Sequence, residues 1–420
     1  MADFTSYLPP LLTGIDLHEA LSHFPEYTAE VRLLSASERL MRLTDIYRIF
    51  APTMMSTDIY HKLYTMTYMS LTQKGNIINS VRQLNAVNRW MCNSEYNGVI
   101  TGATSGSLIG PSGVGKSTCL QRAVKLLGGV IEPHGTCHKI IPVLLINCPF
   151  DSNYKGLLSQ IIVAVDEALG TTYYDSVGGN RANSQQLLGL VAQICHLHIG
   201  TLIVDEIQFV IEHRAGKQLY MMLVQLINMS GISILLVGTP ECTDFLLQAP
   251  QMARRSVGLQ YGPMQYNEDF RKLCSVLYSY QYVSNASVFN ESIGCWLYSH
   301  SGGVPASVIA LIHDAQEIAI TRNIETIGIE TLTTAYNERM KMLHRHISPN
   351  LQPMLRQTTK LKREHLPTPK EVSLHVAVTR TMADVVADYK CTRNDLIDGL
   401  RSLFSVEEID VSVHAEDLPR

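Results

Sequence analysis

The run Gly110, Pro111, Ser112, Gly113, Val114, Gly115, Lys116, Ser117, Thr118 fits the pattern G-x-x-x-x-G-K-[ST]. It follows an apolar stretch, Ser107 to Ile109, and opens a segment with helical spacing, Thr118 to Leu127, the strand-loop-helix context the motif needs. Glycines let the backbone curl so that successive N–H groups converge on an anion, and a helix N-terminus adds positive potential there. The chemistry indicated is binding of nucleotide phosphates. Lys116 would bridge the β- and γ-phosphates and the Ser117 hydroxyl would ligate a metal, so ATP and Mg2+ are the expected cofactors.

A phosphate cradle hydrolyses nothing without carboxylates, and Thr201-Leu202-Ile203-Val204-Asp205-Glu206 supplies two at the end of an apolar strand. Asp205 would hold the metal through water, and Glu206 would act as general base on the attacking water. The bland alternative is a strand ending in two solvated acids. The next apolar run, Ile232 to Val237, ends in Gly238-Thr239-Pro240. Thr239 is either a sensor beside the γ-phosphate or a turn threonine. Further on, Arg254 or Arg255 either reaches a neighbouring subunit's nucleotide, where a guanidinium offsets transition-state charge, or belongs to a surface pair.

The elements that must position these residues follow from periodicity. Residues 1–95 read as a helical module, with helical spacing over Ala36 to Ile49 and Thr57 to Leu71 and with Ser35 and Ser56/Thr57 as caps. It would be either a packing appendage or a partner-docking surface. Residues 96–266 alternate apolar runs with amphipathic stretches, predicting an α/β core with a parallel sheet covered by helices on both faces. Strands are expected at Ser107 to Ile109, Ile140 to Ile146, Leu202 to Val204 and Ile232 to Val237, with a fifth near Val257 to Tyr261. Residues 267–347 turn helical again, as a small lid. In it, Gly302-Gly303-Val304-Pro305 breaks the chain before a helix with apolar face Val304, Val308, Leu311, Ile312, Ala315, Ile318 and Ala319. Residues 348–370 carry four prolines and the basic Lys360, Lys362 and Arg363, which is linker composition, and an acidic tail follows to residue 420.

Composition bounds the rest. The chain has 420 residues, 46% hydrophobic and 17% charged, with mean hydropathy +0.05, an ordinary folded composition. A net charge of −4 excludes a globally basic nucleic-acid binder and leaves room for a local basic track. The start lacks a basic flank and apolar core, and no window reaches about 18 uninterrupted apolar residues, so no membrane and a cytoplasmic location are expected. Nine cysteines lie scattered without a C-x-x-C pair. The clusters His134/Cys137/His138 and Cys195/His196/His198 do not repeat at finger spacing, so reduced structural thiols are expected rather than zinc ligands.

The segments GPSGVGKST, LIVDEIQF and ILLVGTP, in this order and spacing, resemble the AAA+ P-loop NTPases. Asp205-Glu206-Ile207-Gln208, Gly238-Thr239-Pro240 and Ala253-Arg254-Arg255, with a helical N-terminal region, resemble more narrowly the TnsC and TniB group of DNA transposition regulators. The resemblance implies ATP-bound subunits that assemble on double-stranded DNA as rings or helical filaments. It also implies that they take target information from a selector protein or CRISPR effector and recruit transposase subunits. By position it maps DNA-backbone contacts onto two segments, residues 151–155 and 179–184, with Lys155, Arg181, Asn183 and Ser184 as candidates. One departure is visible: residues 302–307 carry no arginine where many AAA+ proteins place a second sensor, which shifts weight onto Arg254 and Arg255. Residues 348–420 are then the candidate transposase contact. Two other classes share the phosphate motif: a helicase-loader or origin-licensing ATPase, which would ordinarily bring a winged helix that is not legible after Thr368, and a signalling NTPase that binds no DNA.

Overall fold

The computed structural model describes residues 4–75, 105–133, 139–149, 154–178, 183–211, 216–243 and 258–341. Five parallel strands, β1 (Ser105–Ile109), β2 (Ile141–Asn147), β3 (Ile199–Asp205), β4 (Ser233–Gly238) and β5 (Leu259–Gln260), form one sheet in the order β2-β3-β4-β1-β5. Successive side chains of a strand point to opposite faces, so a strand buried on both sides is apolar throughout. Leu202 and Val204 enter one core and Ile203 the other; Ile234 and Leu236 against Leu235 and Val237 repeat the pattern. Strands stand at all five expected places: β1 and β3 are longer than expected, β2 and β4 are shifted by one residue, and β5 is shorter, at Leu259–Gln260.

One face of the sheet carries α5 (Tyr154–Leu169), α6 (Ser184–His198) and α7 (Gly216–Ser230). The other carries α1 (Gly14–Leu21), α3 (Met54–Gly75) and the phosphate-loop helix α4 (Lys116–Leu126). Helix α3 buries Ile59, Tyr60, Leu63, Met66 and Leu71, the three-four spacing of one helical stripe. Each such side chain contributes about 1.5–3 kcal/mol by leaving water. The Oγ1 atoms of Thr67 and Thr201 lie 3.0 Å apart, and Ser233 Oγ donates to the Met66 carbonyl, so α3 is tied to strands β3 and β4 directly.

The lid contains α8 (Glu268–Ser279), α9 (Glu291–Ser301), α10 (Pro305–Thr321) and α11 (Ile329–Arg339), around a core of their own. Asn267 and Asn290 cap the first two by accepting from Phe270 N and Ile293 N. Between α1 and α3, the segment containing α2 (Ala36–Leu43) leaves the sheet and inserts Val31, Leu43, Ile46 and Ile49 into the lid core. The N-terminal region therefore packs on both sheet and lid.

In the N-terminal region helix boundaries differ from expectation. Ser35 caps α2 through a reciprocal bond with Glu38, but the helix stops at Leu43 and continues as a 3-10 turn, Thr44–Arg48. The Thr44 hydroxyl donates back to the Met41 carbonyl at that point. Helix α3 begins at Met54, which puts Ser56 inside its first turn, bonded to the Thr53 backbone, rather than at its cap. No helix among the described residues is long and apolar enough to cross a membrane.

Candidate nucleotide site

The motif residues converge at the carboxyl edge of the sheet, where β1, β3 and β4 end side by side. The loop after β1 turns through Gly113 at φ +83° and Gly115 at φ +98°, values that side-chain-bearing residues adopt only at a cost. Helix α4 then starts at Lys116, two residues before the expected Thr118. The Lys116 ammonium donates to the Gly110 carbonyl at 2.6 Å and the Pro111 carbonyl at 3.0 Å, which folds it over the loop. Burial pulls its pKa down, and the negative fields of Asp205 and Glu206 oppose that pull.

Ser117 Oγ donates to Asp205 Oδ2 at 2.7 Å. A hydroxyl and a carboxylate meeting at the mouth of a phosphate loop form the hard-oxygen pair that suits a small divalent cation, which would neutralise phosphate charge there. Asp205 Oδ1 accepts from Glu206 N at 2.8 Å, so the carboxylate is held at both oxygens. Glu206 takes φ +58°, in the left-handed region, and turns the chain sharply out of the strand. Its side chain accepts from the Gln208 amide. Ile207 N donates to Val237 O, pinning this turn to β4.

Thr239 follows β4, half-buried, in extended conformation before the turn Pro240–Cys242. Its hydroxyl bonds Glu241 and holds that carboxyl below the usual range. The structure therefore brings Lys116, Ser117, Asp205, Glu206 and Thr239 to one edge. Arg254, Arg255, Arg181 and the His134/Cys137/His138 cluster lie outside the described residues. Lys155 is the second residue of α5, Asn183 is the cap of α6 and Ser184 its first residue. Asn183 Oδ1 is committed to that cap, accepting from Gln186 N at 2.8 Å. Chain direction sets both helix starts at the carboxyl edge of the sheet, since α5 follows β2 and α6 runs back into β3.

The alternative metal cluster dissolves in the fold. Cys195 is buried in the core with its thiol pushed up to about 12 by burial, and the rings of His196 and His198 face the carbonyls of Ser230 and Lys139.

Two parts of the site were not legible beforehand. The start of α10 sits on the phosphate loop: Ala306 N donates to Gly113 O at 3.2 Å, and a Cβ on Gly113 would lie 2.9 Å from Val304 Cγ1. The second is the contact of Gln208, which the sequence shows as the last residue of Asp205-Glu206-Ile207-Gln208 with no role attached to its side chain.

A family model described as an AAA domain matches residues 100–246. The chain is an ATPase with the AAA+ P-loop NTPase fold. The order of its five strands and its flanking helices are those of the AAA+ P-loop NTPase fold. No curated protein matches the chain. Among solved structures it is similar to the ORC2 protein of Aeropyrum pernix, at 13% identity over 61% of this chain and 66% of that chain, TM-score 0.41. It is also similar to the ORC1 protein of Aeropyrum pernix in complex with DNA, at 15% identity over 78% of this chain and 83% of that chain, TM-score 0.42. A third likeness is to the RuvB Holliday junction branch migration motor of Thermotoga maritima, at 13% identity over 62% of this chain and 69% of that chain, TM-score 0.34.

Proposed function

We propose that this AAA ATPase is a DNA-binding regulator of DNA transposition, which assembles on duplex DNA in its ATP-bound form and uses hydrolysis as a timing switch. The observation that carries the reading is the seat of the lid on the phosphate loop. Val304 and Ala306 touch Gly113, and residues 301–308 carry neither arginine nor lysine. This part of the lid therefore supplies no cation to join Lys116 in offsetting transition-state charge, and Arg254 or Arg255 of an adjacent subunit is our assignment for that role. A site completed in trans works only in an oligomer, so nucleotide state and assembly are linked.

In this reading Ser117 and Asp205 would hold Mg2+, which would offset charge on the phosphates. Glu206 takes a proton from the water that attacks the γ-phosphorus, and ADP departs with its β-phosphate oxygen. Thr239 reports the loss of the γ-phosphate. Lys155, Arg181, Asn183 and Ser184 supply sequence-independent contacts to DNA phosphates. The DEIQ, GTP and ARR segments support a place among the transposition regulators, whose partners are a target-selector protein or CRISPR effector and the transposase. Residues 348–420 are assigned to the transposase contact.

Electron microscopy of the purified protein on duplex DNA with ATP, a non-hydrolysable analogue and ADP tests this. Rings or filaments in the ATP states alone are expected. Absence of DNA-dependent assembly in every state sinks the reading, and assembly that instead loads a helicase, without transposase recruitment, favours an origin-licensing or helicase-loading ATPase.

A further inference from the structure

We infer that Gln208 is the positioning residue for the general base of hydrolysis: its amide nitrogen holds the Glu206 carboxylate, and its amide oxygen is kept for a donor in the reacting site. The inference rests on the reading of Glu206 as base and extends it to a residue with no role so far.

The Gln208 Nε2 group donates to Glu206 Oε2 in a close hydrogen bond. Glu206 stands on left-handed backbone at φ +58°, beyond the strand end, and needs a partner to select one side-chain direction. The partner is itself fixed. Ile207, between the two, is fully buried and its N–H is bonded to Val237 O, while Phe209 N donates to Glu206 O. These bonds close a tight turn between β3 and β4. Gly238 completes the mould: a Cβ there would lie 2.8 Å from Ile207 Cγ2, 2.7 Å from Cys242 Sγ and 3.3 Å from Gln208 Oε1. Glycine at the end of β4 thus leaves the volume that the Gln208 amide occupies, one residue before Thr239.

The other end of the amide separates a functional role from a purely local one. Gln208 Oε1 is buried and accepts no hydrogen bond from any described group. A buried acceptor left unmatched is costly, and a role in catalysis is one reason for such a group to persist. The amide lies between the base on β3 and the threonine turn on β4, so an acceptor here is placed to receive a proton donor from the reacting site. One planar group would then orient base and water together, as glutamine does in other nucleotide hydrolases.

The test compares steady-state and single-turnover ATP hydrolysis by the full chain with Gln208→Met, which keeps volume and loses both polar ends, and with Gln208→Glu, which turns the donor into a second carboxylate. Gln208→Met should lower kcat about tenfold to a hundredfold, the effect of losing a hydrogen bond to a charged group, with KM for ATP within about twofold of the parent. Gln208→Glu should lose more, because two carboxylates then meet. In the Glu206→Gln background the Gln208→Met change should cost nothing further, since residues acting through one step are not additive. Parental kcat in a folded, ATP-binding Gln208→Met protein overturns the inference, and so does an equal fold loss in both backgrounds. If Glu206→Gln alone hydrolyses at the parental rate, the base assignment fails first, and this inference fails with it.

Discussion

Arg39 and Glu325, 286 residues apart, form a two-pronged ion pair, with Nη1 to Oε2 at 2.6 Å and Nη2 to Oε1 at 2.7 Å. Arg39 also donates to the carbonyls of Leu34 and Tyr282, and Glu325 accepts from Ser284 N. The pair is nearly buried, at 6% and 16% side-chain exposure, and it clamps the N-terminal segment onto the lid. That segment is held at both ends by helices on the sheet, so it is a strap between the ATPase core and the lid that touches the phosphate loop.

Removing one partner of this pair leaves the other buried and uncompensated. Arg39→Ala should therefore cost about 3 kcal/mol, read as a lower denaturant midpoint. Replacing both residues by apolar side chains of similar volume should cost much less, and equal losses for the single and double variants would remove the ion-pair explanation.

The pH dependence has a definite sign. The Arg39 guanidinium, bonded to Glu325, holds that carboxyl down from 4.5 to about 2, against the opposing effect of burial. A depressed carboxylate contributes stability that is complete above about pH 5 and is lost as the pH falls towards its folded value. The full linkage is about 3 kcal/mol, and Glu325→Gln should flatten the stability curve between about pH 5 and pH 2. An unchanged acid limb in that variant would place the dependence in other carboxylates.

Nucleotide chemistry should divide between two substitutions. Lys116→Ala should abolish ATP binding, because the phosphates lose their cation. Glu206→Gln should bind ATP, hydrolyse it at least about a hundredfold more slowly and lock the assembled state. Calorimetric titration and a phosphate-release assay separate these outcomes, and normal turnover by Glu206→Gln would disprove the base assignment.

Gly113 should be intolerant for two separate reasons. A side chain at φ +83° is strained by about 1 kcal/mol, and its Cβ would press on Val304 and Ala306. Gly113→Ala should therefore weaken ATP binding about tenfold through the loop and the lid contact. Pairing it with Val304→Ala should restore part of the affinity; no restoration would exclude the lid contact as a cause.

For DNA, Lys155→Ala should weaken binding uniformly across sequences and reduce the slope of log affinity against log salt by about one. An unchanged slope would move the phosphate contact away from Lys155.

The phosphate loop, the acidic strand end and the threonine turn were readable because each is a short run whose chemistry is local. A glycine-rich turn between strand and helix, or two acids after three apolar residues, is a pattern carried by covalent neighbours. The lid helix was readable for a related reason, since every residue of its expected apolar face from Val308 to Ala319 is buried. Residues 4–75 were readable as helical but not in placement, because an apolar stripe such as Ile59, Tyr60, Leu63 and Met66 says that a face is covered and not by what. The amide of Gln208 was hidden because glutamine is ordinary on any surface.

By itself, then, the sequence determined that a phosphate-loop motif and an acidic strand end exist and which residues are candidates for the two halves of a nucleotide site, because covalent neighbours carry those patterns. Tertiary structure alone decided that Ala306 closes on Gly113, that Arg39 finds Glu325 and that Gln208 grips Glu206 against Gly238. The first two join residues some 190 and 286 positions apart. The third depends on space left by a glycine on another strand, and no local spacing rule encodes such a contact before the chain has folded.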